Sequence, residues 1–120
     1  RVGYRLSGAP LELRHRVELR SYGVIAGIVQ VPPAGEPIVQ LADANTVGGY
    51  PRIATVIEAD LWRLAQARIG MRIRLHECSF AEGVAAMQPV NAYLDDLRTL
   101  VARYRSSARC RAGMKSGAKA

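Results

Sequence analysis

The stretch SYGVIAGIVQVPPAGEPIVQLADANTVGGYPRIATVIE, residues 21–58, decides the fold. Its first third is dense in Val and Ile, whose branched β-carbons suit a pleated surface. It stops at Pro32-Pro33, where two missing amide hydrogens end any ladder. EPIVQLAD (36–43) and RIATVIE (52–58) read as two more strands, and Gly48-Gly49-Tyr50-Pro51 reads as the turn between them. Upstream, RVGYRLSGAPLEL (1–13) alternates, turns at Gly8-Ala9-Pro10, and continues as a second short strand.

Downstream the period changes. In EADLWRLAQAR (58–68), Leu61, Leu64 and Ala65 recur at helical spacing, with Trp62 on an adjacent face and Gly70 as the stop. MRIRLHECS (71–79) alternates again and reads as a strand, with Met71, Ile73, Leu75 and Glu77 opposite Arg72, Arg74, His76 and Cys78. Ser79 followed three residues later by Glu82 has the form of a capping box. FAEGVAAM (80–87) is therefore expected to be helical. Pro89 interrupts, and Val90, Leu94, Leu97, Val101 and Tyr104 then form an amphipathic helical stripe. The expected class is mainly β, an antiparallel sheet or barrel with one short embedded helix and a C-terminal helix. Three segments are expected: a barrel portion over residues 1–78, a helical segment over 79–104, and a basic disordered tail over 105–120.

The 120 residues and 49% hydrophobic composition suffice for one modest core. The net charge of +7 is not spread over the chain. Residues 98–120 hold seven basic side chains and no acid, so the remainder is neutral. SSARCRAGMKSGAKA (106–120) is small, polar and basic, and it has no aromatic ring for stacking bases, which argues for a solubilising tail rather than a nucleic-acid arm. Cys78 and Cys110, the two cysteines, imply no disulfide framework. The apolar run from Tyr22 to Val29 is far too short to span a bilayer, and no export leader is visible, so a cytoplasmic protein without membrane partners is expected. Starting at Arg1 and entering strand-like sequence at once, the chain reads as a piece of something longer.

His15 and His76 lie at no metal-ligand spacing, so no metal site is expected. There is no Gly-x-Ser-x-Gly elbow, no phosphate-binding P-loop and no dinucleotide fingerprint. What remains is a polar cluster: Asp43, Asn45 and Thr46 before Gly48-Gly49, joined by Gln30 and Gln40. Asp43 can serve as a base or anchor a ligand amide. Thr46, Tyr50 and the backbone amides of Gly48 and Gly49 can donate to a carbonyl or a developing oxyanion. Taken alone, the cluster reads first as a structural turn and only second as a site.

The blocks RVGYRLSG, GIVQVPPAGEPIVQLADANTVGGYPRIATVIEADLWRLAQARIG and MRIRL resemble the C-terminal portion of the family of 5-oxoprolinase C subunits, also described as allophanate hydrolase subunit 2, and a domain of biotin-dependent urea carboxylase. The resemblance covers about residues 1–78. Gln30, Val31, Pro32 and Pro33 match one element of the family pattern, and Asp43, Thr46, Gly48, Gly49, Tyr50 and Pro51 match another. Arg52 stands where Lys is common, replacing a compact ammonium by a planar fork. Ile69 and Met71 depart from the usual Pro-Gly-Asp.

The resemblance implies a cyclophilin-like β-barrel and an ATP-dependent hydrolysis of 5-oxoproline to glutamate, carried out with subunits A and B. It implies Asp43 and Tyr50 as catalytic residues and Gln30, Thr46, Gly48, Gly49 and Arg52 as substrate-binding residues. ATP is used by the assembly rather than evidently bound by this chain. Family members are much longer, so a lone piece is expected to be inactive. The alternatives are a urea- or allophanate-directed binding domain, or an interaction module without turnover.

Overall fold

A computed structural model describes residues 2–15 and 18–116. The chain divides into two compact units, residues 1–77 and 78–120. The first holds six short strands: β1 (Gly3–Arg5), β2 (Tyr22–Gly23), β3 (Ile28–Gln30), β4 (Ile38–Gln40), β5 (Val47–Gly48) and β6 (Arg52–Thr55), followed by helix α1 (Glu58–Gln66). The second holds α2 (Phe80–Ala86) and α3 (Gln88–Ser116).

Every strand pairing is antiparallel. Four strands form a sheet in the order β1-β4-β3-β6, and β2 pairs with β5 in a second, two-stranded sheet. The run 21–31, read as one strand, is thus divided between two sheets. The break falls at Ile25–Gly27, where the Ile28 N–H donates to the Ile25 carbonyl at 3.3 Å. Gly27 makes this possible. Its φ is +92°, and an added Cβ would lie 2.9 Å from the Val56 carbonyl oxygen and 3.0 Å from a Leu61 methyl. The chain leaving β6 crosses directly over it, with Val56 N–H donating to the Gly27 carbonyl at 2.8 Å, so only glycine fits.

Val29 and Val39, register partners on the two central strands, are fully buried. Leu41 and Leu64 complete the core cluster, with Tyr4, Leu6 and Val56 packed against it. Leu64 is the one residue of α1 that reaches this core, in keeping with the expected helical spacing. The Tyr4 hydroxyl donates to the Ala67 carbonyl at 2.8 Å, tying the end of α1 to β1.

The expectation of a mainly β closed barrel needs correction. The fold is mixed sheet and helix, and the four-stranded sheet is open, because β1 and β6 stand at its two edges without pairing to each other. α3 alone, at 29 residues, outnumbers all the strand residues together. The second short strand expected after Pro10 is absent from the described residues, and so is the strand expected over residues 71–79. Alternation shapes two faces, but a strand exists only when a partner takes up its amides and carbonyls. Residues 71–79 pair with no strand among the described residues and are exposed.

The capping box at α2 forms as its spacing requires. Ser79 Oγ accepts from the Glu82 N–H at 3.2 Å, and Glu82 Oε2 accepts from the Ser79 N–H at 2.7 Å and its hydroxyl at 2.8 Å. The backbone N–H of Ser79, and then its hydroxyl, hold the Glu82 carboxyl below its ordinary value. Pro89 is the second residue of α3 rather than a break within it, where its missing N–H has no helical partner to lose. α3 continues to Ser116, so helical backbone covers residues 105–116 of the segment read as a disordered tail. Residues 117–120 lie outside the described residues.

Candidate functional site

The site is built around Gln30, the last residue of β3. It is 3% exposed, yet it carries an amide. A buried amide must find partners inside the protein, and it does. Its Oε1 accepts from Gln40 Nε2 at 2.8 Å, and its Nε2 donates to the Tyr22 hydroxyl at 3.0 Å. A longer contact of 3.5 Å runs from the same Nε2 to the Tyr50 carbonyl. The Tyr22 hydroxyl in turn donates to that carbonyl. The chain of polar groups therefore runs from Gln40 through Gln30 and Tyr22 to the backbone of the Gly48–Pro51 turn.

Two strand pairings bring these groups together. β2 sets Tyr22 opposite Gly48, and the Val24 N–H extends the pairing by donating to the Thr46 carbonyl at 2.8 Å. An added Cβ at Gly48 would sit 2.9 Å from Gln30 Nε2 and 3.3 Å from a Val24 methyl. The glycine is needed for close approach, not for an unusual backbone.

The second pairing is between β3 and β6. Val29 faces Ala54, but Gln30 faces Arg52, so Ile53 is an extra residue at a register shift. Directly opposed residues in an antiparallel pair project to the same face. A regular ladder would have set Ile53 against Gln30 and turned Arg52 to the other face; the bulge re-aims Arg52 onto the side of the Gln30 network. Its guanidinium carbon lies 4.5 Å from the centroid of the Tyr22 ring.

The structure thus brings together Gln30, Gly48, the Tyr50 backbone and Arg52. Tyr50 presents its carbonyl to the network while its side chain stays largely exposed. Thr46 and Gly49 flank the same β2–β5 pairing, and an added Cβ at Gly49 would meet the Leu19 carbonyl at 3.6 Å. Asp43 is exposed on a turn between β4 and β5 closed by the Ala44 N–H and the Leu41 carbonyl at 3.0 Å, not on the strands carrying Gln30 and Tyr22. Gln30 is enclosed, so any part it takes in binding runs through the turn that it holds.

Tyr22 is not among the residues that the sequence singles out. Its one local signal is an aromatic at the head of a β-branched run, which reads equally well as packing. Among the described residues, no group of three or more His, Cys, Asp or Glu could hold a metal ion, and no helix is long and apolar enough to cross a membrane. An open cleft of about 470 Å³ on the first unit is lined by Ala26, Leu41, Ala42, Leu61, Trp62 and Ala65. Apart from the indole N–H, these side chains offer nothing to an amide ligand.

Chemically, the surface beside the turn carries the exposed Tyr50 side chain next to the exposed Arg52 guanidinium. Such a surface suits a small ligand with both a carbonyl and an anionic group.

The chain is 46% identical over 101 residues to the 5-oxoprolinase C subunit of Haemophilus influenzae, a match covering 84% of this chain and 33% of that protein. It is 47% identical over 97 residues to the 5-oxoprolinase C subunit of Escherichia coli, covering 81% of this chain and 31% of the relative. A putative urea carboxylase of Emericella nidulans is 26% identical over 62 residues, covering 52% of this chain and 5% of that protein. The chain spans about a third of the length of the two 5-oxoprolinase relatives. The family model described as the carboxyltransferase domain, subdomain A and B, matches residues 1–77, and with the first compact unit covered from end to end, this chain belongs to that family.

Proposed function

We propose that this chain supplies a substrate-binding wall of an ATP-dependent 5-oxoprolinase, acting with subunits A and B to hydrolyse 5-oxoproline to glutamate. The observation that carries the proposal is the placement of Arg52 beside the Gly48–Pro51 turn on the Gln30 network, in a chain 46% identical to a 5-oxoprolinase C subunit. In this reading the open antiparallel sheet forms part of a cyclophilin-like barrel whose closure involves further strands at the edges β1 and β6.

5-Oxoproline is a five-membered lactam carrying a carboxylate. Its amide is resonance-stabilised, and phosphorylation of the carbonyl oxygen by ATP within the assembly makes the ring carbon open to water. This chain's part is to hold the lactam for that chemistry, which turns positioning into rate. The Thr46 and Tyr50 hydroxyls and the backbone amide of Gly49 are the donors that face the lactam carbonyl, whose two lone pairs take two of them, while Gly48 keeps the turn close to Gln30. Asp43 accepts from the ring N–H. Arg52 takes the carboxylate through paired donors. Gln30 keeps the turn at the right height through Tyr22 and the Tyr50 carbonyl.

The test is ATP-dependent glutamate release from 5-oxoproline by subunits A and B, with and without this chain. Stimulation that is lost in Arg52→Ala supports the proposal. Co-elution with the partners but no stimulation leaves the interaction-module reading. The match to a putative urea carboxylase favours a second reading, a ureido ligand at the same donors; stimulation of ATP hydrolysis in the same mixture by urea and not by 5-oxoproline would select it.

A further inference from the structure

Arg52 lies exposed at the start of β6, and among the described residues no carboxylate pairs with it. Its aromatic neighbour is the Tyr22 ring, whose centroid lies 4.5 Å from the guanidinium carbon. That ring is itself held. Its hydroxyl accepts from Gln30 Nε2 at 3.0 Å and donates to the Tyr50 carbonyl, while Gln30 is buried and anchored in turn by Gln40 at 2.8 Å. Gly48, opposite Tyr22 in the β2–β5 pair, brings no side chain to disturb the arrangement.

An exposed arginine samples many rotamers, and ordering it costs affinity when it captures a ligand. A guanidinium held over a fixed ring has lost part of that freedom already, and its five N–H groups leave donors for a planar anion.

We infer that Tyr22 is a positioning residue that holds the Arg52 guanidinium ready for a ligand carboxylate, itself held by the hydrogen-bond chain from Gln40 through Gln30. This rests on the reading of Arg52 as the carboxylate contact.

Two lactams separate this role from a purely structural one: 5-oxoproline, and 2-pyrrolidinone, the same ring without the carboxylate. Their affinities are measured by calorimetry on the complete complex. Tyr22→Leu is expected to weaken 5-oxoproline about threefold, the size of an exposed cation–π contact, and to leave 2-pyrrolidinone unchanged. In the Arg52→Ala background the same change is expected to do nothing further to either ligand. Phe and pentafluorophenylalanine at position 22 form an isosteric pair that spares the packing. The fluorinated ring reverses the quadrupole, so it is expected to lose about threefold more preference for 5-oxoproline than Phe does.

Equal weakening of both lactams by Tyr22→Leu, or equal preference with the two rings, overturns the role of Tyr22. If Arg52→Ala removes the preference for 5-oxoproline while the position 22 variants keep it, that role alone falls. If Arg52→Ala leaves the preference intact, the carboxylate assignment falls as well.

Discussion

Replacing Gly48 by Ala tests the centre of the site with one methyl group. The new Cβ would lie 2.9 Å from Gln30 Nε2, 3.3 Å from Val24 Cγ2 and 3.5 Å from Gln30 Oε1. An amide at the end of a flexible side chain would ordinarily swing away at little cost. Gln30 is 3% exposed and held at both ends of its amide, by Gln40 at 2.8 Å and Tyr22 at 3.0 Å. Moving it breaks at least one of these bonds and leaves a buried polar group without a partner, at roughly 1–3 kcal/mol. The φ of Gly48 is not positive, so the loss of backbone freedom in the unfolded chain returns about 0.4–1 kcal/mol to the variant. The net expectation is a destabilisation of roughly 1–2 kcal/mol, read as a lower midpoint in urea at an unchanged slope. Gly8→Ala is the control, since nothing lies within 4 Å of its added Cβ, and it should be neutral or slightly stabilising. Combining Gly48→Ala with Gln30→Ala should cost less than the sum of the two, because the clash disappears with the amide. A Gly48→Ala variant as stable as the parent, or strict additivity with Gln30→Ala, would refute the packing of Gln30 on this glycine.

Val39→Ala removes two methyl groups from a fully buried site and should cost roughly 2–3 kcal/mol in a urea melt. Gly27→Ala forces a side chain into a positive φ and to within 2.9 Å of the Val56 carbonyl, so a loss of at least about 1–3 kcal/mol is expected by the same melt. Ser79→Ala should remove about 1 kcal/mol of helix stability through the lost cap, visible as reduced helical circular dichroism. The Glu82 carboxyl is held below its ordinary value by Ser79. Its contribution to the cap is therefore present above the ordinary glutamate range and lost as pH falls through the folded value. Titrating helical signal from neutral to acid should show this loss in the parent and not in Glu82→Gln.

The first compact unit was legible where chemistry is local. Val and Ile runs, Pro32-Pro33 and the Gly48–Pro51 turn all lie in one short stretch of chain, and β3, β4, β6 and α1 fall where those patterns put them. Leu64 reaches the core as its spacing required. Reading failed where a feature depends on a distant partner. Residues 71–79 alternate as well as any strand in the chain but find none to pair with among the described residues. Tyr22 and Gly48 are 26 positions apart and meet through a two-residue pairing, which no local pattern announces. Gln30 reads as an available polar group, and burial makes it a holder of the turn instead.

By itself the sequence determined the turn chemistry, the capping box at Ser79 and Glu82, the strand-forming runs and the family pattern around Gln30, Gly48 and Arg52. Each of these follows from the preferences of a few adjacent residues. Tertiary structure alone decided which face Arg52 occupies. The extra residue Ile53 in β6 shifts the register against β3, and a shift of one residue turns the side chain beyond it, that of Arg52, to the opposite face. A pairing energy summed over two distant strands sets that register, so the guanidinium meets the Tyr22 ring only once both sheets have formed.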